Sequence, residues 1–128
     1  MPAERVPLSQ HLDPLSPQEH AIWKRYAELV DAAGASELIA TKSRVAFRAA
    51  HRIFTGGFFR AGRLQLFFDL PQPVPEGDRD HRFRVVWEES RSIWVHRVKI
   101  ERPDELDNTL AAWLCASWAA YSKPANER

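Results

Sequence analysis

His96 is the side chain in this sequence whose type and surroundings come closest to a catalytic residue. It lies in the segment Trp94-Val95-His96-Arg97-Val98, among large apolar residues. An imidazole can act as a general base near neutral pH. The same pattern is more typical of a core histidine that hydrogen-bonds to backbone, because buried polar groups need partners. His96 is therefore a weak catalytic candidate.

Other arrangements of reactive residues are weaker still. Asp78-Arg79-Asp80-His81 offers two carboxylates and an imidazole, which are metal-ligand types, but it follows a proline-rich stretch that fixes no coordination geometry. Neighbouring Glu88 and Glu89 point to opposite sides of a strand, so they do not form an acid–base pair. The single cysteine, Cys115, excludes an internal disulfide and a cysteine-based zinc cluster. The sequence predicts no metal site and no cofactor.

Charge is distributed unevenly along the chain. The formal net charge is +1, yet the segment Leu38–Phe68 holds six basic residues and no acid. These residues are Lys42, Arg44, Arg48, Arg52, Arg60 and Arg63. Residues 1–37 and 69–91 each contain six acidic groups, against three and four basic groups. A local excess of cations indicates an anionic partner unless the acidic flanks neutralise it in three dimensions.

Length and composition predict one ordinary globular domain. The chain has 128 residues, of which 45% are hydrophobic and 27% are charged. No stretch approaches the roughly 20 apolar residues of a membrane helix, so no membrane contact is predicted. Residues 1–12 lack the apolar run of a secretory signal, and together with the single cysteine this indicates a cytoplasmic protein.

Two helices and a series of strands would position the side chains named above. Ser16-Pro17-Gln18-Glu19 is a helix-start signature, and Gly34 can end the helix in a left-handed conformation, which predicts a helix over 17–33. A second helix is predicted to begin at Pro103-Asp104-Glu105 and to stop at Pro124. Alternation of polar and apolar residues predicts strands near 44–48, 53–60, 63–70, 83–87 and 94–100. Gly56-Gly57 within the second of these indicates a bulge or a close backbone approach.

The predicted fold is a two-layer α+β sandwich, an antiparallel sheet of about five strands with the N- and C-terminal helices on one face. Residues 1–15 are expected to form an extended arm, 16–123 a single domain and 124–128 a tail. Because strand side chains alternate, the uncovered sheet face should be basic with an aromatic residue inside it. Its predicted members are Arg44, Arg48, Arg63, Gln65, Phe67, Arg84, Arg97 and Lys99, and Lys42, from the same basic stretch, is a further candidate for binding a partner.

Three stretches in order resemble the family of uncharacterised domains known as domain of unknown function 5655 (DUF5655). They are Thr41–Arg48 (TKSRVAFR), Leu66–Pro71 (LFFDLP) and Trp94–Ile100 (WVHRVKI), the last continuing through Pro103-Asp104-Glu105-Leu106-Asp107. The resemblance implies a small α+β unit that stands alone or is attached to other domains, some of them nuclease-like. His96 falls where the family has a histidine. The family often has a second histidine where this chain has Arg97, so the resemblance implies no role that needs both imidazoles.

Three functional hypotheses remain open. The first is a non-enzymatic interaction module whose basic sheet face contacts an acidic protein partner or a second copy of the chain. The second is a nucleic-acid-binding accessory domain, in which cations hold phosphates and Phe67 stacks on a base. The third, which has the least support, is a small enzyme with His96 in a cleft.

Overall fold

The alternating segments in the middle of the chain form one antiparallel sheet. The computed structural model describes residues 4–75, Phe83 and residues 85–123. Its helices and strands, in chain order, are α1 (Ser9–Leu12), α2 (Pro17–Ala33), β1 (Glu37–Ala40), β2 (Val45–Arg48), β3 (Ile53–Arg60), β4 (Arg63–Leu70), β5 (Val85–Ser90), β6 (Ile93–Ile100) and α3 (Asn108–Tyr121). Neighbouring strands are antiparallel in the spatial order β1-β2-β3-β4-β6-β5. The α+β fold class is confirmed, with six strands rather than about five.

Helix α2 begins and ends where the sequence predicts. The Ser16 hydroxyl accepts from the backbone N–H of Glu19, and the Glu19 carboxylate accepts from the backbone N–H of Ser16. This capping box satisfies two backbone donors that the first turn leaves without helical partners. Gly34 ends the helix at φ +150° and ψ 175°, which is an extended glycine conformation rather than the expected left-handed helical one. A Cβ at this position would lie 2.2 Å from Trp118, so the close packing of that ring also requires glycine.

Helix α3 begins later than the sequence predicts. Pro103–Glu105 forms a separate 3₁₀ turn, and the α-helix starts at Asn108 after Asp107, whose carboxylate accepts from the backbone N–H of Leu110. Asp is one of the residues that most favour a helix N-terminus, and here the α-helix starts after Asp107 rather than at the upstream proline. The helix ends at Tyr121, and the predicted stop at Pro124 lies outside the described residues.

Strand β1 is the element that sequence periodicity did not indicate. Its four residues pair with β2 in a tight hairpin, Glu37 opposite Arg48 and Ala40 opposite Val45. The N-terminal arm reaches the outer edge of β1, where the backbone N–H of Val6 donates to the carbonyl oxygen of Ala40 at 2.9 Å. The arm is not extended throughout, because α1 interrupts it.

Both long helices pack on the same face of the sheet. Buried residues of α2 and α3 form one apolar cluster with the inward-facing residues of the strands. The strand contribution includes Val45, Phe47, Leu64, Leu66, Phe68, Val98 and Ile100. Tyr26 lies on α2, and its ring contacts the ring of Phe47 edge to face, with the two ring centroids 5.6 Å apart. Within the described ranges, no helix is long and apolar enough to cross a membrane.

The proline-rich connection between β4 and β5 completes this apolar layer. Val74 and Phe83 are almost fully buried, and Phe83 meets Phe68 edge to face at 5.8 Å. The backbone N–H of Val74 donates to Nε2 of His96 at 3.0 Å. The described part of this connection therefore lies on the helix side of the sheet and leaves the other face uncovered.

Ser117 joins α3 to the sheet where β3 and β4 separate. The last paired residues of these strands at this end are Thr55 and Phe68. Just beyond that pair, the buried Ser117 hydroxyl lies within hydrogen-bond distance of the carbonyl oxygens of Phe54 and Asp69. One hydroxyl thus replaces part of the missing strand pairing.

We expect Ser117→Ala to lower the free energy of unfolding by about 1–3 kcal/mol, because the buried carbonyl groups of Phe54 and Asp69 lose the one hydroxyl donor that they share. Urea denaturation measures the difference. Thr109→Ala, at an exposed position on the same helix, should change stability by less than about 0.5 kcal/mol. Equal effects of the two substitutions would contradict this role of Ser117.

Candidate functional site

The sheet face that carries no helix presents cationic and aromatic side chains, and we call it the basic face. Residues directly opposite each other in an antiparallel pair share a side of the sheet. The pairs that define this face are Phe67 with Arg97, Gln65 with Lys99, Phe58 with Gln65, and Arg60 with Arg63. The basic face consists of Arg44, Phe58, Arg60, Arg63, Gln65, Phe67, Trp87, Arg97 and Lys99.

Six of the predicted members meet on this face: Arg44, Arg63, Gln65, Phe67, Arg97 and Lys99. Lys42 is exposed in the turn between β1 and β2, beside the face rather than on it. Arg48 lies at a register shift in β2 and lines a different cavity, with Trp118 and Ser122 at the end of α3. Its predicted membership of the uncovered sheet face stays a prediction. Arg84 lies outside the described residues.

A glycine makes room for the aromatic residue that holds Arg44. Gly56 lies opposite Phe67 in the sheet, and a Cβ on Gly56 would lie 2.9 Å from the Phe67 ring and 2.7 Å from the carbonyl oxygen of Val45. The ring therefore lies directly over the glycine backbone. The guanidinium of Arg44 lies above the same ring, 5.1 Å from its centroid. The close approach predicted at Gly56-Gly57 is confirmed, and it positions a cation.

Arg97 is held in the same way on the neighbouring strands. Its guanidinium lies 5.3 Å from the centroid of the Trp87 ring. A guanidinium over an aromatic face is attracted to the ring and keeps N–H groups that can still donate to an anion. Arg44 and Arg97 are therefore oriented before any ligand arrives.

Two adjoining clefts open on the basic face and share Phe58, Gln65 and Arg97. The larger has a volume of about 260 Å³ and is also lined by Arg60, Ala61, Arg63 and Lys99. We call it the four-cation cleft after Arg60, Arg63, Arg97 and Lys99. The smaller has a volume of about 150 Å³ and is also lined by Ser43, Arg44, Leu66 and Phe67. Among the described residues, no carboxylate lines either cleft.

Ion pairing neutralises only a small part of the basic face. Nε of Arg63 lies 3.0 Å from a carboxylate oxygen of Glu101. In the part of the chain that the structure describes, no carboxylate lies within 4.0 Å of the side-chain nitrogens of Arg44, Arg60, Arg97 or Lys99. These four cations are therefore available to an external anion.

Arg52, in contrast, has a structural partner. It lies between β2 and β3, forms an ion pair with the buried carboxylate of Asp69, and places its guanidinium 5.0 Å from the ring centroid of Tyr121. Burial raises the pKa of Asp69 from 3.8 to about 6, against the opposing effect of Arg52. Glu89 raises this pKa further, and Arg44 lowers it. The pair joins the β2–β3 turn to β4 and α3.

His96 has the environment of a core histidine. It is fully buried, and its ring stacks on Phe68 with centroids 4.8 Å apart and an angle of 2° between the planes. The Nε2 atom of His96 accepts a hydrogen bond from the backbone N–H of Val74, so Nε2 carries no proton. The ring is therefore neutral, with its proton on Nδ1. The hydrogen bond that we expected for a buried histidine is present.

Residues Asp78 to His81, considered as metal ligands from the sequence, lie outside the described residues. Within the described ranges, no group of three or more His, Cys, Asp or Glu side chains could hold a metal ion.

Sequence reasoning missed Phe58, Arg60 and Trp87 as members of the basic face. The glycine pair in β3 interrupted the alternation that would have assigned Phe58 and Arg60 to a face. Trp87 was identified as a strand residue, but its position over β6 depends on the crossover that places β5 outside β6. Strand order cannot be obtained from alternation alone.

A scan of protein-family models, a search of curated proteins and a search of solved structures found no match to this chain. The resemblance to DUF5655 therefore stays a prediction.

We expect Gly56→Ala to displace the Phe67 ring and to lower the free energy of unfolding by about 1–3 kcal/mol, because the new methyl group has no space between the ring and β2. Thermal or urea denaturation measures the loss. A fully stable Gly56→Ala protein would contradict the close packing of the ring. Phe67→Leu, which removes the ring, should relieve only part of the clash when combined with Gly56→Ala, because the contact with the carbonyl oxygen of Val45 remains.

The pKa of Asp69 gives the protein a specific pH dependence. Since this pKa is higher in the folded protein than the ordinary value of 3.8, the folded protein binds a proton that the unfolded chain does not yet bind. Relative to Asp69→Asn, the parent protein should gain stability as the pH falls through about 6, and the gain should be complete below about 4, on the order of 2–3 kcal/mol. Denaturation of both proteins across this range measures it. A stability difference that does not change with pH would show that the carboxylate is not desolvated.

Proposed function

We propose that this chain is a non-enzymatic interaction module that binds an acidic segment of a partner protein on its basic face. The observation that carries the proposal is the set of four cations, Arg44, Arg60, Arg97 and Lys99, for which no carboxylate partner lies in the described part of the chain. Carboxylates suit these side chains, because guanidinium groups donate two parallel hydrogen bonds to them.

Pre-organisation supports this proposal. Arg44 and Arg97 are packed on Phe67 and Trp87, so less side-chain entropy is lost when they bind. Aromatic and arginine side chains at the centre of a patch are also the residues that most often dominate the binding energy of protein interfaces.

The same stacking disfavours the nucleic-acid alternative. A base could reach the outer faces of Phe67 and Trp87 only by displacing the guanidinium that covers each ring. The exposed aromatic platform on which single-strand binding depends is therefore occupied at these two positions. Phosphate contacts alone would give weak binding that depends strongly on salt.

Charge disfavours self-association through this face. In a two-fold symmetric dimer the same patch meets itself, and the cations of one copy would approach those of the other. Like charges at close range would oppose such a contact unless an anion lay between them.

We expect the protein to bind a fluorescently labelled oligoglutamate peptide at low ionic strength, and the double variant Arg97→Glu with Lys99→Glu to lose at least about tenfold in affinity. Fluorescence anisotropy measures both. Lys24→Glu with Lys123→Glu makes the same change in net charge at exposed positions outside the basic face, and it should bind almost as well as the parent.

Three results would overturn the proposal. They are equal losses in the two double variants, tight binding of a single-stranded oligonucleotide without binding of the peptide, and a dimer in light scattering that only the basic-face reversals dissociate. The second result would favour nucleic-acid binding, and the third would favour self-association.

A further inference from the structure

We propose that the four-cation cleft binds a phosphate monoester, so that a phosphorylated side chain of the acidic partner enters it. This inference rests on the proposed function. It names the chemical group that the part of the basic face with the most cations would bind.

Strand register places four cationic side chains around one point of the sheet. Lys99 lies directly opposite Gln65, and Arg63 is two residues from Gln65 on the same strand. Arg60 lies directly opposite Arg63, and Arg97 is two residues from Lys99. Opposed side chains have Cβ atoms about 5 Å apart, and diagonal neighbours about 7–8 Å. All four charged groups can therefore reach a single ligand above Gln65.

The charge in the cleft exceeds what one carboxylate can neutralise. Four cations line it, and Glu101 compensates only Arg63. A carboxylate brings one negative charge and two acceptor atoms. A phosphate monoester brings about −1.5 to −2 charges at pH 7 and three strong acceptor oxygens. The phosphate therefore matches both the charge and the number of donors better.

The opposed arginines repel each other when no ligand is bound, and the ion pair of Arg63 with Glu101 offsets only part of this repulsion. Arg60 and Arg63 form the last pair before the two-residue turn of the β3–β4 hairpin, and like charges directly opposite each other destabilise a strand pair. Nothing in the apolar core depends on either guanidinium, since both side chains are exposed. A bound dianion would remove the repulsion.

The cleft also has suitable walls. Phe58 supplies an apolar side, and the amide of Gln65 at the centre supplies further donors. The cleft has a volume of about 260 Å³, whereas one water molecule occupies roughly 30 Å³. The cleft therefore has room for a phosphate group and part of the side chain that bears it.

Fluorescence anisotropy with two matched probes tests this inference. One probe is an acidic peptide that contains a single serine, and the other is the same peptide with phosphoserine. We expect phosphorylation to increase affinity at least about tenfold, because several charge-assisted hydrogen bonds are added. Arg60→Gln with Lys99→Gln should abolish this increase.

Arg44→Gln is the matched control, because Arg44 belongs to the basic face but lies outside the four-cation cleft. It should weaken both peptides by the same factor and leave the effect of phosphorylation intact. Inorganic phosphate should compete with the phosphopeptide and should raise the melting temperature of the parent protein more than that of the Arg60→Gln, Lys99→Gln protein. Melting curves of each variant without ligand establish that it folds.

The outcomes separate the inference from the proposed function. Equal binding of the two peptides with no effect of inorganic phosphate would overturn the phosphate site and leave the acidic-partner proposal standing. Binding of inorganic phosphate with no binding of either peptide would support the site and overturn the acidic partner. Tighter binding of adenosine monophosphate than of the phosphopeptide would overturn the peptide as the source of the phosphate.

Discussion

The register between β4 and β6 is the constraint on which the rest of the molecule depends. Side chains alternate along each strand, so a shift by one residue would exchange the two faces of the whole sheet. In the observed register Leu66 lies opposite Val98, and Phe67 lies opposite Arg97. The first pair enters the core beneath the helices, and the second lies on the basic face. Burying the apolar set on one side therefore obliges the cationic set to appear on the other.

A hydrogen-bonded chain connects these two faces. The Tyr26 hydroxyl donates to Oγ1 of Thr55 at 2.9 Å, because the Thr55 hydroxyl itself donates to the carbonyl oxygen of Phe67 at 2.7 Å. Burial raises the pKa of Tyr26 above its usual range, so this donor keeps its proton. The packing of α2 thus fixes the backbone of Phe67, and the ring of Phe67 on the opposite face carries Arg44. A substitution of Tyr26 in the core would therefore alter the position of Phe67 on the basic face, through the Tyr26–Thr55 and Thr55–Phe67 hydrogen bonds.

The sequence predicts elements well where the signals are local. The capping box and Gly34 delimit α2, and strict alternation delimits β4, because both depend on residues a few positions apart. Prediction from the sequence fails where pairing between distant residues determines the structure. Four residues form β1 only because β2 folds back on them, and Trp87 lies beside Arg97 only because the strand order places β5 next to β6. The existence of a basic face was predictable, whereas its full membership required the strand order.

The net charge of +1 gives no indication of this arrangement, and the structure shows why. The acid-free segment Leu38–Phe68 contains six cations, but these cations differ in their positions and partners. Arg52 turns inward to the carboxylate of Asp69, where the buried pair ties the turn to α3. Arg63 is the one basic-face cation with a carboxylate partner in the described part of the chain, and that partner, Glu101, lies just beyond β6.

The remaining ion pairs in that part of the chain lie away from the basic face. Arg5 pairs with Glu37 at the edge of β1, Arg25 pairs with Glu28 on α2, and Arg102 pairs with Asp104 between β6 and α3. These carboxylates therefore pair with cations outside the basic face. The basic face is therefore a local concentration of positive charge that the small net charge of the molecule does not reveal. Such a molecule would orient an acidic partner during approach, and the effect would weaken as salt screens it over about 10 Å.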